Sequence, residues 1–322
     1  MLAYIIRRTL WTIPIVLGVV LLTFTLFTLV AKDPARMYAG RRATPEVLES
    51  IRHKMGLDKP IWINVQAAHE SGFKGLFDSQ FFDILFFRFA KSMRYDEGVG
   101  TLFWRKAPVS FAIQLPVFII ELGCQLVLAL LVASYRGRWP DYVTTFVAVL
   151  GMSVPPLSIY LGAQWLLAAH WKIFPVAGWD VGFYAVQFAA LPILVSVVGG
   201  IGGGTRFYRT VVLEEINADY VRTARSKGVA SREVLFTHVL RNVMIPVLTN
   251  TVTALPLLLL GAVILERLFQ IPGVGNLLVD SVFNNDRPVI MATTYMLSIA
   301  YCLALLLTDI CYTLVDPRVT LG

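Results

Sequence analysis

The side chains best able to do chemistry are few in this sequence and badly spaced for catalysis. His53, His69, His170 and His238 are scattered, with no H-E-x-x-H or similar pair to hold a metal. Cys124, Cys302 and Cys311 lie singly in apolar runs without C-x-x-C spacing, which argues against both a disulfide framework and a zinc site. There is no G-x-x-x-x-G-K-[ST] to cradle a nucleotide phosphate and no G-x-S-x-G to present a serine nucleophile. Gly199, Gly200, Gly202, Gly203 and Gly204 follow no strand signal and bring no lysine; within an apolar run they fit close helix packing, expected at Gly199 and Gly203.

What remains is a set of polar groups at membrane depth. Gln114, Glu121, Gln125, Gln164, Thr249, Asn250, Thr251 and Thr253 sit inside long apolar runs, where unpaired polar atoms cost free energy and so turn toward protein or water. Glu121, Gln125, Gln164, Asn250 and Thr253 are the candidates for a translocation path. An acid near a helix centre costs about 2.5–3.5 kcal/mol on insertion scales, so Glu121 needs a partner or a wet cavity. It fits a place on the path or against a partner subunit, and it equally fits a hydrogen-bonded packing acid.

The elements that would hold these groups are membrane helices. The chain has 322 residues, 57% hydrophobic and 15% charged, with a mean hydropathy of +0.67, too apolar for a soluble domain. The net charge of +7 is spread over loops with no aromatic-interleaved basic patch, so it reads as topology signal and excludes a nucleic-acid footprint. Leu10 to Val30 is long enough to cross the hydrocarbon core, and Arg7 and Arg8 before it keep the N-terminus inside. It is long for a signal peptide, and no A-x-A-like site follows at Ala31 to Arg36, so it reads as a retained helix. Five further spans are expected near 111–134, 143–168, 184–205, 243–265 and 289–312. Prolines at 116, 155, 156, 192, 246 and 256 would kink these helices.

The expectation is an all-α integral membrane protein of six transmembrane helices. An N-terminal helix (1–31) precedes a long extracytoplasmic loop (32–108) and a five-helix core (109–322). In the loop, Thr44-Pro45-Glu46 starts a helix that Gly56 closes, and Phe81 to Phe87 is too short to span and lies at the interface or packs on the bundle. Thirteen Lys or Arg fall between Lys32 and Pro108, but a segment of that length translocates largely regardless of charge. Alternation then puts the Arg136/Arg138 link inside, the Lys172 link outside, and both termini inside.

The stretch 214–241 is the most polar one outside the N-terminal loop, and it reads as helix, glycine break, helix. Asp219 starts the first helix, on which Tyr220, Ala224 and Lys227 share a face. Gly228 ends it in the left-handed conformation, and Ser231 caps the second helix with Glu233 in its first turn. Arg222, Arg225, Lys227, Arg232 and Arg241 crowd the elbow, which by the positive-inside rule is cytoplasmic. A basic helix pair lying on the anionic inner leaflet would show the same pattern.

Arg222-Thr223-Ala224-Arg225-Ser226-Lys227-Gly228 resembles the E-A-A-x-x-x-G loop of the membrane subunits of ATP-binding-cassette importers, with Arg222 in place of the leading Glu. With Asp219-Tyr220-Val221 before it and His238-Val239-Leu240-Arg241-Asn242 after it, the stretch is similar to the dipeptide and oligopeptide permease branch. Arg42 to Glu46, Met55 to Pro60, Pro272-Gly273-Val274-Gly275, Asn285 to Val289 and the tail Asp309 to Arg318 resemble the same branch, so the likeness covers nearly the whole chain. The loop is longer than in many such proteins, with extra residues around 66–87.

The resemblance implies a permease subunit of an ATP-driven importer for short peptides in a bacterial inner membrane. Nickel complexes and oligosaccharides are alternative solutes within the branch. It implies a second permease, two ATPase subunits that hold ATP and magnesium, an extracytoplasmic binding protein, and no cofactor and no catalysis in this chain. Asp219, Tyr220, Arg222, Thr223, Ala224, Arg225, Lys227, Gly228, Arg232 and His238 would then contact the ATPase. A secondary transporter or a membrane scaffold would share the hydropathy; the inverted repeats frequent in the former are not evident.

Overall fold

The computed structural model describes residues 2–30, 33–40, 43–230, 233–260 and 263–315. Among these residues the regular structure is helical, apart from one isolated antiparallel bridge between Lys91 and Gly98. Among the described residues, four helices are long and apolar enough to cross a membrane: Ile6–Thr28, Val99–Ser134, Gly182–Ile216 and Arg287–Cys311. A fifth counts if the bent pair Trp139–Ser153 and Pro156–His170 is one span. The segment expected at 243–265 is the helix Leu240–Leu260 followed by Val263–Leu268, with 261 and 262 outside the described residues.

The expected 143–168 span is not straight: its halves meet at 95°. Proline disfavours helical backbone in the residue before it, so Val154 is extended (ψ 126°), and Pro156 reopens a helix at a position where its missing N–H costs nothing. Other helices run on through Pro116, Pro192, Pro246 and Pro256. The helix expected at 111–134 opens at Val99, so position 108/109 lies inside it, and that expected at 184–205 continues to Ile216.

The chain forms two compact units. The first gathers Met1–Ser110, Leu259–Arg267 and Pro272–Leu306. Its helix Pro45–Lys54 begins after Thr44, carries Glu46 in its first turn and Arg52, His53 and Lys54 in its last, as the helix dipole favours, and stops ahead of Gly56 at φ +67°. Ile51 and Met55 pack with Ala35, and Arg52 pairs with Asp33. The Arg52 guanidinium holds the Asp33 carboxyl below its usual value. The apolar stretch at 81–87 opens as a helix, Gln80–Leu85, and packs: Phe81 lies 5.4 Å from the Phe24 ring and 5.6 Å from that of Trp62. Lys59 holds this layer to Asp78 (2.8 Å) and Asp83 (2.6 Å). Burial alone would lower the Lys59 ammonium, but the two carboxylates outweigh it and raise its pKa.

Two buried acids fasten the rest of this unit. Asp286 accepts from the Ser92 hydroxyl (2.6 Å) and from the N–H groups of Met93 and Arg94, fixing the turn that precedes the helix Val99–Ser134. Glu266, 1% exposed, accepts from the Ser110 hydroxyl (2.7 Å) and the Asn276 N–H (3.0 Å), with the Gly275 N–H beside it. Its carboxylate therefore sits at the N-terminus of the helix Val274–Phe283, where negative charge is stabilised. A Cβ at Gly273 would overlap that carboxylate, which is the reason for glycine in Pro272-Gly273-Val274-Gly275.

The second unit gathers Phe111–Leu258, Leu268–Ile271 and Leu307–Gly322. Its core draws Ala129 and Leu130, Tyr208 and Val212, Val221 and Ala224, and Val243 and Val247 from four helices. Arg209 grips Asp141 through two bonds (2.7 and 2.8 Å), joining the helices Ala185–Ile216 and Trp139–Ser153 at their polar ends.

Candidate functional site

Two features of the second unit carry the site: an exposed cationic elbow and a cavity between helices with several polar groups in its wall.

The elbow's first helix is Asp219–Ser226. Val221 and Ala224 face the core and Tyr220 is half-buried, while Asp219, Arg222, Thr223, Arg225 and Lys227 are exposed. Lys227 was expected to share a face with Tyr220 and Ala224; it lies instead just past the helix end, because Gly228 has already turned the chain. At φ +79°, Gly228 donates to the Arg225 carbonyl (2.9 Å) and Val229 to that of Ala224 (3.3 Å), the paired bonds of a Schellman stop. Tyr220 donates to the Glu215 carboxylate (2.6 Å); burial and that carboxylate raise the phenol above its usual pKa. The expected cap at Ser231 and the cation Arg232 lie outside the described residues. Past them, the wide turns Val234–Val239, with His238 exposed, run straight into Leu240–Leu260, so the elbow's second helix is the beginning of the next long apolar helix.

The cavity, of about 360 Å³, is lined by Gln114, Glu121, Gln125, Tyr208, Asn250 and Thr251 among apolar neighbours. Glu121 Oε1 accepts from Gln125 Nε2 (2.7 Å), which also reaches the Gly200 carbonyl (3.1 Å). Asn250 Nδ2 donates to the Tyr208 hydroxyl (3.0 Å), and Thr251 donates to the Val247 carbonyl. The room for these side chains comes from missing ones. A Cβ at Gly200 would overlap the Glu121 carboxylate, and one at Gly204 the Gln125 amide.

Residues 125–321 match the family model described as binding-protein-dependent transport system inner membrane component, and residues 1–111 match its N-terminal companion model. The chain is 31% identical to the oligopeptide transport system permease protein AppB of Bacillus subtilis, covering 99% of each. It is 31% identical to the dipeptide transport system permease protein DppB of Lactococcus lactis over 100% of each, and 32% identical to the glutathione transport system permease protein GsiC of Pectobacterium atrosepticum over 99% of each. The chain belongs to the binding-protein-dependent permease family. It is the membrane-embedded, multi-pass component of a transport system that depends on a binding protein.

Within this permease the structure brings together some of the expected path residues and not others. Glu121, Gln125 and Asn250 meet at the cavity, together with Gln114 and Thr251. Gln164 does not: its amide donates to the carbonyls of Val176 (2.8 Å) and Leu268 (3.3 Å) and closes a loop. Thr253 is exposed and donates to the Asn250 carbonyl. The glycine register also differs from expectation. Positions 199 and 203 have ordinary clearance, whereas Gly200 and Gly204 make the close approaches, as does Gly202, where a Cβ would sit 2.9 Å from the Ala148 carbonyl oxygen. Sequence reading missed Tyr208, which the four-residue step Gly200, Gly204, Tyr208 places on one helix face, and the Asp141–Arg209 pair, which no local pattern signals.

Proposed function

We propose that this permease is one of two related membrane subunits of an ATP-driven importer of short peptides. The carrying observation is likeness along the whole chain to permeases named for oligopeptide, dipeptide and glutathione transport. On this reading six helices cross the membrane, the sixth crossing formed by Leu240–Leu260 with Val263–Leu268, and both termini face the cytoplasm. Residues 32–108 lie outside as a loop region ahead of the core 109–322, and the extracytoplasmic binding protein delivers solute. Nickel complexes and oligosaccharides are the alternative cargo classes.

The elbow 219–241 docks into two-subunit ATPase machinery encoded elsewhere, which holds ATP and magnesium and performs the hydrolysis. Asp219, Arg222, Thr223, Arg225, Lys227 and His238 present an exposed polar surface, while Val221 and Ala224 bind the elbow to the bundle core. Because its second helix continues into the helix that carries Asn250, a push on the elbow reaches the cavity wall without a flexible joint in the described residues. Closure of the ATPase pair then selects between two shapes of the bundle. The glutamine, asparagine and threonine lining would offer replacement hydrogen bonds to a solute that has shed water.

The experiment is reconstitution of the complete complex in proteoliposomes. ATP-dependent peptide uptake, lost together with substrate-stimulated hydrolysis when Gly228 is replaced by leucine, is the expected result. Uptake without ATPase subunits would mean a secondary transporter, and unchanged coupling in Gly228→Leu would remove the elbow from the mechanism.

A further inference from the structure

Glu121 is the one charged side chain among the residues lining the cavity, and it has no counter-ion there. No lysine or arginine among the described residues pairs with it, and its hydrogen-bond donor among them is the Gln125 amide. That amide occupies Oε1, while Oε2 accepts no hydrogen bond from the described residues and is not among the polar atoms sealed away from solvent. Packing does not require this arrangement. Glu266 shows how the same chain buries a carboxylate for structure, giving it a hydroxyl and an N–H donor with a further N–H beside it. Gly200 and Gly204 give the Glu121 carboxylate and the Gln125 amide their places against the facing helix, and both side chains line the cavity.

We propose that Glu121 supplies the counter-charge for a protonated primary amine on the transported solute, so that the cavity takes cationic or zwitterionic ligands of the amino-terminal kind. This rests on the peptide-path reading above. The free Oε2 takes the ammonium, and Gln114, Asn250 and Thr251 present amide and hydroxyl groups to the polar backbone behind it. A cavity of about 360 Å³ falls within the range of small-ligand sites, and an amine common to every peptide lets one site serve many side chains.

The test uses the detergent-solubilised full complex without its binding protein, so that the binding protein's own preferences play no part. Thermal stabilisation is titrated with alanyl-alanine and with its N-acetylated form, on wild type, Glu121→Gln and Glu121→Asp. Glutamine keeps the acceptor for Gln125, and aspartate keeps the charge. The expected result is an apparent affinity at least about tenfold higher for the free amine in wild type, kept in Glu121→Asp and abolished in Glu121→Gln. Equal response to both ligands in wild type, no response to either, or a preference that survives in Glu121→Gln would overturn the proposal. Uptake by the reconstituted complex separates the levels: transport of peptides with no amine preference at the cavity removes only the counter-charge, whereas no peptide transport removes the reading beneath it.

Discussion

Glu266 and Glu121 are the same residue type in two different states, and the contrast separates structure from function in this permease. Glu266 in the first unit is sealed, with the Ser110 hydroxyl and Asn276 N–H aimed at it and glycine at 273 to let them close in. Glu121 in the second unit has one amide donor, a vacant oxygen and a cavity in front of it. Full satisfaction fixes one geometry, whereas partial satisfaction leaves an acceptor available to another donor. The two units differ in the same sense. Asp286, Glu266 and the Lys59 cluster bind the first into a fastened layer, while in the second the Asp141–Arg209 pair is not part of the cavity lining.

The largest expected effect follows from breaking the sealed acid. Glu266→Ala leaves buried donors without an acceptor and should lower the unfolding free energy of the purified permease by about 2–4 kcal/mol, read by thermal or denaturant unfolding in micelles. Glu121→Gln should change stability by less than about 1 kcal/mol in the same assay. Equal losses would dissolve the contrast. Next in size, Asp141→Asn removes half of a two-bond grip on a partly buried guanidinium and should cost about 2 kcal/mol.

Gly228→Val forces a branched side chain into left-handed backbone, a strain of about 1–2 kcal/mol, and should uncouple hydrolysis from substrate more than it unfolds the chain. A pH scan sharpens the account of the first unit. Because the folded pKa of Lys59 is raised, the stability it contributes is fully present below the ordinary lysine value of about 10.4 and is lost as pH climbs through the raised value. Lys59→Met should remove that alkaline limb of the unfolding curve. The smallest effect belongs to Asp219→Ala: the Asp219–Arg222 pair is exposed at both ends, so stability should shift by no more than about 0.5 kcal/mol while ATPase affinity changes.

What could be read in advance was whatever local chemistry decides. Gly228 and Gly56 stop helices in the left-handed region because few other residues do so cheaply, and both were legible as letters. Long apolar runs gave the helices Val99–Ser134, Ala185–Ile216 and Arg287–Val315, though not their ends, since backbone hydrogen bonding carries a helix on past the point where the side chains turn polar. The proline pair announced a disturbance at 155–156 but not its 95° size, which depends on what each half packs against. The cavity was half legible. Polarity singled out Glu121, Gln125 and Asn250, but Gln164 and Thr253 carry the same signal and satisfy themselves on nearby carbonyls. Rotation about a helix axis separates the two cases, and a one-residue error in glycine register, 199 and 203 for 200 and 204, turns the small face away from the acid.

In the proposed importer a cationic elbow on the cytoplasmic side is gripped by separate ATPase subunits. The most direct test of this grip places a single cysteine at Arg225, exposed on the elbow helix, in a chain whose Cys124, Cys302 and Cys311 are replaced by serine or alanine. A membrane-impermeant thiol reagent should label inverted vesicles and not right-side-out ones, and adding the ATPase subunits should protect the site. Labelling from the outer face, or labelling that the ATPases leave unchanged, would contradict the account.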